Sequence, residues 1–143
     1  MRAWDTSALL KLYSHEADSA AFVALADGEA ASVSTLVAVE LFCALRAKEL
    51  AGMLARGGAA IAFARYERDV GEGLWAPVDA SEQVRREARR VAQVCAAGRL
   101  GFSVRALDAL HLASALVNRT DTLVTADKRL AKAAAKLGLE VLP

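Results

Sequence analysis

Four acidic residues stand in apolar surroundings, where a carboxylate is unexpected: Asp5, Glu40, Asp108 and Asp127. Glu40 and Asp108 each interrupt an apolar stretch, whereas Asp5 and Asp127 each follow a short apolar run. Carboxylates are rarely fully buried unless they are paired, hydrogen-bonded or bound to a metal. Because convergent carboxylates repel one another unless a cation neutralises them, the four acids together predict one shared divalent-metal site.

The residue types near these acids favour a metal-dependent reaction with oxygen ligands. Mg²⁺ prefers oxygen ligands and retains several waters, so one or two direct carboxylates are enough to hold it. The hydroxyls of Thr6, Ser7 and Thr125 lie next to two of the acids in sequence and could orient carboxylates or bound water. The two histidines, His15 and His111, are not evidently placed as an acid–base pair, which disfavours a metal-free hydrolase.

Each acid also has a structural alternative when it is considered alone. Asp5 and Asp127 both precede predicted helices and could serve only as N-caps. Glu40 and Asp108 could lie on solvent-facing sides of their helices, as acids ordinarily do. His111 follows Asp108 by three residues, which permits contact with the site, although packing in the core or a helix-to-strand hydrogen bond is the favoured interpretation.

Composition sets limits on the class of protein. The 143 residues fit one domain, and 18 basic against 17 acidic residues give a net charge of +1, so bulk charge favours no partner. No apolar stretch approaches a membrane span, and the N-terminus lacks the apolar core of a signal peptide. Cys43 and Cys95 lack metal-ligand spacing and are predicted to be reduced thiols in the core. These features predict a cytoplasmic protein.

The elements alternate between short strands and helices. The first half predicts a strand over 1–4, helices over 7–13 and 17–26, and a strand over 30–33. Asp27-Gly28 would end the second helix. A helix capped by Ser34 or Thr35 then runs to about Leu50, followed by a helical region ending near Gly71 or Gly73 and an edge strand over 74–78 that contains Pro77.

The second half continues the alternation. It predicts a helix over 81–97, a helix starting at Ser103 or Val104, a strand over 123–125, a helix over 127–136 and a last strand over 139–142. Such a chain forms a mainly parallel sheet covered on both faces. Ligands of open α/β sheets bind outside the carboxyl ends of the strands, which is where Asp5 and Asp127 would lie.

Four sequence blocks, taken in order, resemble the PIN-domain nucleases, and among them the VapC-type toxins of toxin–antitoxin modules. The blocks are Asp5-Thr6-Ser7-Ala8-Leu9, Val39-Glu40-Leu41, Asp108-Ala109-Leu110-His111-Leu112-Ala113 and Leu123-Val124-Thr125-Ala126-Asp127. The resemblance covers essentially the whole chain. It implies a single PIN-like domain over 1–143, with a three-layer α/β fold and a mainly parallel, twisted sheet of four to five strands. A fifth acid, Asp121, is interpreted as a turn residue.

The resemblance also implies an activity. It predicts an endoribonuclease dependent on Mg²⁺, with Mn²⁺ as the alternative, that is usually a homodimer and is inhibited by a small antitoxin. By resemblance, Asp5 and Asp108 are direct metal ligands, while Glu40 and Asp127 complete the site through a water or a second metal. The metal would activate a water and stabilise charge on the phosphate. Thr6, Ser7 and Thr125 would support these groups.

Other functions are compatible with part of the pattern. A PIN-domain RNase of RNA maturation has the same site, and a metal-dependent phosphatase of the haloacid-dehalogenase type also starts with a strand-terminal Asp. That phosphatase needs a second Asp two positions on, where this chain has Ser7. A response-regulator-like module would not explain Glu40 and Asp108 within helices. The RNA surface is open: Lys11, Arg46 and Lys48 could lie near the cleft, whereas the arginines over 85–90 fit a solvated helix face.

Overall fold

The apolar runs predicted as strands form one parallel sheet in the computed structural model, which describes residues 1–26 and 31–143. The strands are β1 (Arg2–Trp4), β2 (Ala31–Ser34), β3 (Trp75–Val78), β4 (Thr122–Val124) and β5 (Glu140–Leu142). Their order in the sheet is β3-β2-β1-β4-β5, and every neighbouring pair is parallel. Because β1 is central, the residue that follows it lies at the middle of the carboxyl edge. The strand with Pro77 is at the edge, as predicted.

Helices connect the strands, which confirms the predicted α/β class. They are α1 (Thr6–Tyr13), α2 (Ser19–Ala26), α3 (Val37–Leu50), α4 (Gly58–Gly71), α5 (Glu82–Ala96), α6 (Ala106–Val117) and α7 (Lys128–Lys136). Within the described ranges, no helix is long and apolar enough to span a bilayer.

The hydrophobic core is divided between two clusters of buried side chains. The first joins α1, α3 and α4 to the sheet through residues such as Leu9 and Leu41, and the second joins α5, α6 and α7 to it through residues such as Val91 and Leu112. β1 contributes Trp4 to the first cluster and Ala3 to the second, as successive residues of a strand must point to opposite faces. The central strand is therefore held from both sides.

A hydrogen-bonded group of aromatic residues ties α1, α4 and β3 together inside the first cluster. The Tyr13 hydroxyl donates to Asp69 Oδ2 at 2.6 Å and accepts a hydrogen bond from Trp75 Nε1 at 2.8 Å. Trp75 also packs edge-on against Trp4, with ring centroids 5.4 Å apart. This arrangement attaches the edge strand β3 to the first helix of the chain.

The loop before α6 differs from the prediction, since this helix begins at Ala106 and not at Ser103 or Val104. The preceding loop folds back on the end of α5: the Phe102 N–H donates to the Cys95 carbonyl at 3.0 Å. A Cβ at Gly101 would lie 2.1 Å from the Ala96 carbonyl oxygen, so only glycine fits there. Ser103 and Val104 follow this return and remain outside the helix.

Three smaller predictions need correction or lie outside the described residues. The N-cap of α3 is Leu36, without a side-chain cap, because the Ser34 hydroxyl accepts from the Leu36 N–H instead. Cys43 is exposed, not in the core, whereas Cys95 is buried as predicted. The predicted helix end at Asp27-Gly28 and the strand start at residue 30 lie outside the described residues.

Candidate functional site

The candidate site lies at the carboxyl edge of the sheet. Asp5 directly follows β1, and Thr125 directly follows the neighbouring strand β4. The Asp5 N–H donates to the Val124 carbonyl at 3.2 Å, which fixes the two strand ends side by side. Glu40 and Asp108 each stand in the first turn of a helix, α3 and α6 respectively. Ligands of open α/β sheets bind at this edge.

Asp5 is the most buried of the four acids, at 5% exposure. Its Oδ1 accepts hydrogen bonds from the Ala8 N–H at 3.1 Å and from the Ser7 hydroxyl at 2.9 Å, so it is an N-cap of α1. Burial raises the pKa of Asp5 above its ordinary value, although these two hydrogen bonds act in the opposite direction. The cap and a metal ligand are compatible roles, because the cap uses only Oδ1.

Ser7 joins the two strand ends. Its hydroxyl donates to Asp5, accepts a hydrogen bond from the Ala126 N–H at 2.9 Å and lies 3.3 Å from the Thr125 hydroxyl. Thr125 in turn accepts from the Asp127 N–H at 3.0 Å. Through these contacts, Ser7 and Thr125 hold the loop that carries Asp127 against the start of α1. Ser7 therefore contacts the Asp5 carboxylate, whereas Thr125 contacts the Asp127 backbone and the Ser7 hydroxyl but no carboxylate.

Glu40 is held by two side chains from other helices. Its Oε2 accepts from the Thr6 hydroxyl at 2.8 Å and lies 2.5 Å from Nε2 of the buried His111. Half-burial opposes its ionisation, but His111, Thr6 and the charge of Arg105 together hold the pKa of Glu40 below its ordinary value. Glu40 is therefore an anion at neutral pH, oriented by α1 and α6.

Asp108 and Asp127 share one cation. Arg105, the N-cap residue of α6, donates from Nε to Asp108 Oδ2 at 2.7 Å and from Nη2 to Asp108 Oδ1 at 3.1 Å. The same Nη2 donates to Asp127 Oδ2 at 3.0 Å. Asp127 Oδ1 caps α7 by accepting from the backbone of Arg129 and Leu130. Partial burial opposes ionisation, but these contacts hold the pKa of Asp127 below its ordinary value.

The chemistry of this donor set fits a hard divalent cation. All four acids offer oxygen ligands, which Mg²⁺ and Mn²⁺ prefer. No three His, Cys, Asp or Glu side chains of residues 1–26 and 31–143 form a ready-made metal cage. Mg²⁺ does not require one, since it binds through one or two carboxylates and keeps waters. The Arg105 guanidinium occupies the place of a cation between Asp108 and Asp127, so this edge already accepts positive charge.

Comparison with known proteins gives the same fold. A sequence profile described as the PIN domain matches residues 3–136. The chain belongs to the PIN-domain family. Among solved structures, VapC20 of Mycobacterium tuberculosis, a toxin that cleaves the sarcin–ricin loop, is similar with a TM-score of 0.68 and 17% identity, over 93% of this chain and 95% of that one. The FitAB complex bound to the IR36 DNA fragment gives a TM-score of 0.70 and 18% identity, over 99% and 94%. No curated protein sequence matches significantly.

Two side chains of this PIN domain contact the acids although sequence reasoning did not place them there. His111 is buried as expected, but its ring nitrogen contacts Glu40 rather than a strand. The sequence analysis assigned no role to Arg105. Its position three residues before Asp108 could have indicated the contact, because helical side chains pair at this spacing. The contact of Arg105 with Asp127, 22 residues away, depends on the tertiary fold and has no local signal.

Several basic residues of the PIN domain, including those expected near the cleft, form salt bridges with neighbouring acids. Lys11 and Lys48 both pair with Glu16, so neither is free to line a cleft. Arg46 pairs with Glu49. On α5, the pairs Arg85–Glu82, Arg86–Glu82 and Arg90–Glu87 form the solvated helix face that was predicted. The expected RNA contacts of Lys11, Arg46 and Lys48 receive no support.

Proposed function

We propose that this PIN domain is an endoribonuclease toxin that hydrolyses RNA phosphodiester bonds with the help of Mg²⁺ or Mn²⁺. The observation that carries the proposal is the position of four carboxylates around one edge of the sheet, with two of them already sharing the Arg105 guanidinium. When bound, the metal would activate a water and stabilise the charge that develops on the phosphate. The all-oxygen donor set supports this choice of metal.

Each side chain of the site has a separate role in the proposed reaction. Asp5 and Asp108 would hold the metal, Asp5 from the end of β1 and Asp108 from the first turn of α6. Glu40, kept ionised by His111 and Thr6, would orient a water and could accept its proton. Asp127 would join the site through Oδ2, the oxygen that now contacts Arg105. Ser7 and Thr125 keep the two strand ends in register, so they act by positioning.

A protein partner is the second part of the proposal, with the toxin inhibited by a small antitoxin. On α3, Val39 and Phe42 are 68% and 41% exposed, and Phe42 stacks edge-on against Phe63 of α4. Val39 directly precedes Glu40, so a segment that covers this apolar surface would also lie beside the acidic site. This juxtaposition supports an inhibitor that blocks the acids while it buries apolar side chains. A homodimer, also implied by the family resemblance, can be tested by the molecular mass in solution.

The nuclease proposal is tested with matched acid variants. We expect the purified protein to cleave RNA with Mg²⁺ or Mn²⁺ and to lose cleavage with EDTA. Asp108→Asn should lower the rate at least about a hundredfold, since one ligand of the reacting centre is lost. Asp121→Asn is the control, because Asp121 is exposed and contacts Thr122 at the start of β4, away from the carboxyl edge. Cleavage that persists in Asp108→Asn, or in EDTA, would refute the mechanism.

The alternatives give different results in the same assays. If the wild type hydrolyses phosphate monoesters but not RNA, the phosphatase alternative is correct. If the wild type cleaves RNA but its induced expression does not arrest growth, an RNase of RNA maturation is favoured. Growth arrest that requires Asp108, and that a small protein encoded next to this chain relieves, supports the toxin.

A further inference from the structure

A cavity of about 300 Å³ lies directly beside Asp108 and is not used by the mechanism above. The loop that precedes α6 and the first turns of α7 form its walls. The lining residues are Phe102, Ser103, Val104, Arg105, Asp108, Arg129, Lys132 and Ala133. Its size is at the lower end of the range of about 300 to 1000 Å³ for ligand pockets. Because Asp108 is one wall, whatever enters this cavity is next to the reacting centre.

Two of the three cations in this cavity form no salt bridge, although the charge of Arg129 contributes to the lowered pKa of Asp127. Arg105 forms salt bridges with Asp108 and Asp127. Arg129 and Lys132 form no salt bridge with any acid of the described part of the chain, in contrast to Arg85, Arg86 and Arg90 of α5. They stand three residues apart on α7, where side chains share one face. Two unpaired cations on one wall of a cavity attract an anion.

The Phe102 ring holds Lys132 at the wall of the cavity. The Lys132 ammonium lies 4.2 Å from the centroid of the Phe102 ring, within the range of cation–π attraction. Lys136 also approaches this ring, but it donates hydrogen bonds to the carbonyls of Cys95 and Ala97 and so closes the end of α5. Lys136 is therefore occupied, and Lys132 is the lysine that remains available to a ligand.

We propose that Arg129 and Lys132 bind a phosphate of single-stranded RNA next to the scissile one, in a subsite whose shape is set by Phe102. The inference rests on the proposed nuclease function. Single strands are bound by basic grooves that follow the backbone and contain aromatic side chains, and this cavity has both features. The two residues position the substrate and take no part in the bond cleavage. They therefore affect the KM for RNA and leave kcat unchanged.

The test compares two double variants of equal charge. Arg129→Gln/Lys132→Gln removes the subsite, whereas Arg89→Gln/Arg99→Gln removes two exposed cations that do not line this cavity. Cleavage of a single-stranded oligoribonucleotide is measured at several salt concentrations with Mg²⁺ present. Thermal melting of each variant checks that it is folded.

We expect the subsite variant to raise KM on the order of tenfold with kcat unchanged. The slope of log(1/KM) against log salt should become shallower by about 0.7, the value for one lost phosphate contact with a single strand. Lys132→Arg should behave as the wild type, because it keeps the charge.

Two other outcomes are distinguishable. If the wild type cleaves RNA and both double variants shift KM equally, or neither does, the subsite is wrong and the nuclease proposal stands. If the wild type cleaves no RNA, the function and the subsite are both refuted.

Discussion

The Arg105 guanidinium is hydrogen-bonded to the carboxylate oxygens of Asp108 and Asp127 that a metal would need. It is more than half exposed, so it can leave these carboxylates without disturbing the core. Two cations cannot use the same oxygens, and metal binding must therefore compete with this ion pair. In the absence of metal, the guanidinium relieves the repulsion between acids that the fold brings together.

The substitution Arg105→Gln tests this competition. We expect the variant to bind Mn²⁺ several-fold more tightly than the wild type, because the internal competitor is removed. Calorimetric titration with Mn²⁺ in the absence of RNA measures the affinity directly. Arg89→Gln, an exposed arginine on α5, is the control and should leave the affinity unchanged. Weaker binding in Arg105→Gln would mean that Arg105 organises the ligands instead of competing for them.

At Asp5, the proposed role in metal binding opposes the stability of the fold. Its pKa is raised by burial, so the folded state disfavours the charge at neutral pH. Asp5→Asn keeps the capping oxygen and removes the charge. We expect an unfolding free energy higher by about 1 kcal/mol at pH 7, together with the loss of RNA cleavage.

The pH dependence of this gain follows from the direction of the shift. A raised folded-state pKa means that the wild type is relatively most stable when Asp5 is protonated and loses stability as pH rises through that pKa. The advantage of Asp5→Asn in urea unfolding should therefore be present at pH 7 and vanish below about pH 4, the ordinary range of aspartate. An advantage that is the same at both pH values would contradict the role of the buried charge.

The hydrogen bonds of one hydroxyl, that of Tyr13 in α1, join this helix to α4 and β3. The Tyr13 hydroxyl satisfies both Asp69 and the Trp75 indole, so its removal leaves a buried N–H without a partner. We expect Tyr13→Phe to lower the unfolding free energy by about 1 to 2 kcal/mol in urea titration. Tyr66→Phe is a matched control, because Tyr66 is also buried but its hydroxyl makes no hydrogen bond within the described residues. Equal losses would show that packing alone determines the effect.

Element types and their order were predictable because each helix and strand has a local cause. Gly98 ends α5 with φ of 83°, and Ser81 caps its start through the Val84 N–H, as their residue types indicate. The start of α6 was not predicted, because it depends on how the turn after Gly98 folds back on the end of α5 and brings Gly101 close to the Ala96 carbonyl. The residue types alone do not specify this turn. Similarly, the acids were selected because they stand in or beside apolar runs, whereas the contacts of Arg105 with Asp127 and of His111 with Glu40 depend on how the helices pack.

For the whole molecule, metal binding should appear as global stabilisation. A ligand that binds only the folded state at 100 times its dissociation constant adds about 2.7 kcal/mol. For a domain of this size, that corresponds to a rise in Tm of about 5 to 10 °C. We expect this rise with Mn²⁺ in differential scanning calorimetry, its reversal by EDTA, its absence in Asp108→Asn and its retention in Asp121→Asn. An identical Tm with and without metal would refute a metal site at the carboxyl edge.

The central place of β1 has a consequence for the order in which a cell makes this protein. Arg2 pairs with Ala31 on one side and with Thr122 on the other, so β1 cannot complete its pairing until β4 has been synthesised. Until β4 emerges, Asp5 lacks the Val124 carbonyl that holds it, and neither Asp108 nor Asp127 is in place. A translation intermediate stalled before Thr122 should thus be catalytically silent. If the chain is a nuclease directed at RNA, it cannot cleave RNA until β4 has been synthesised and has paired with β1.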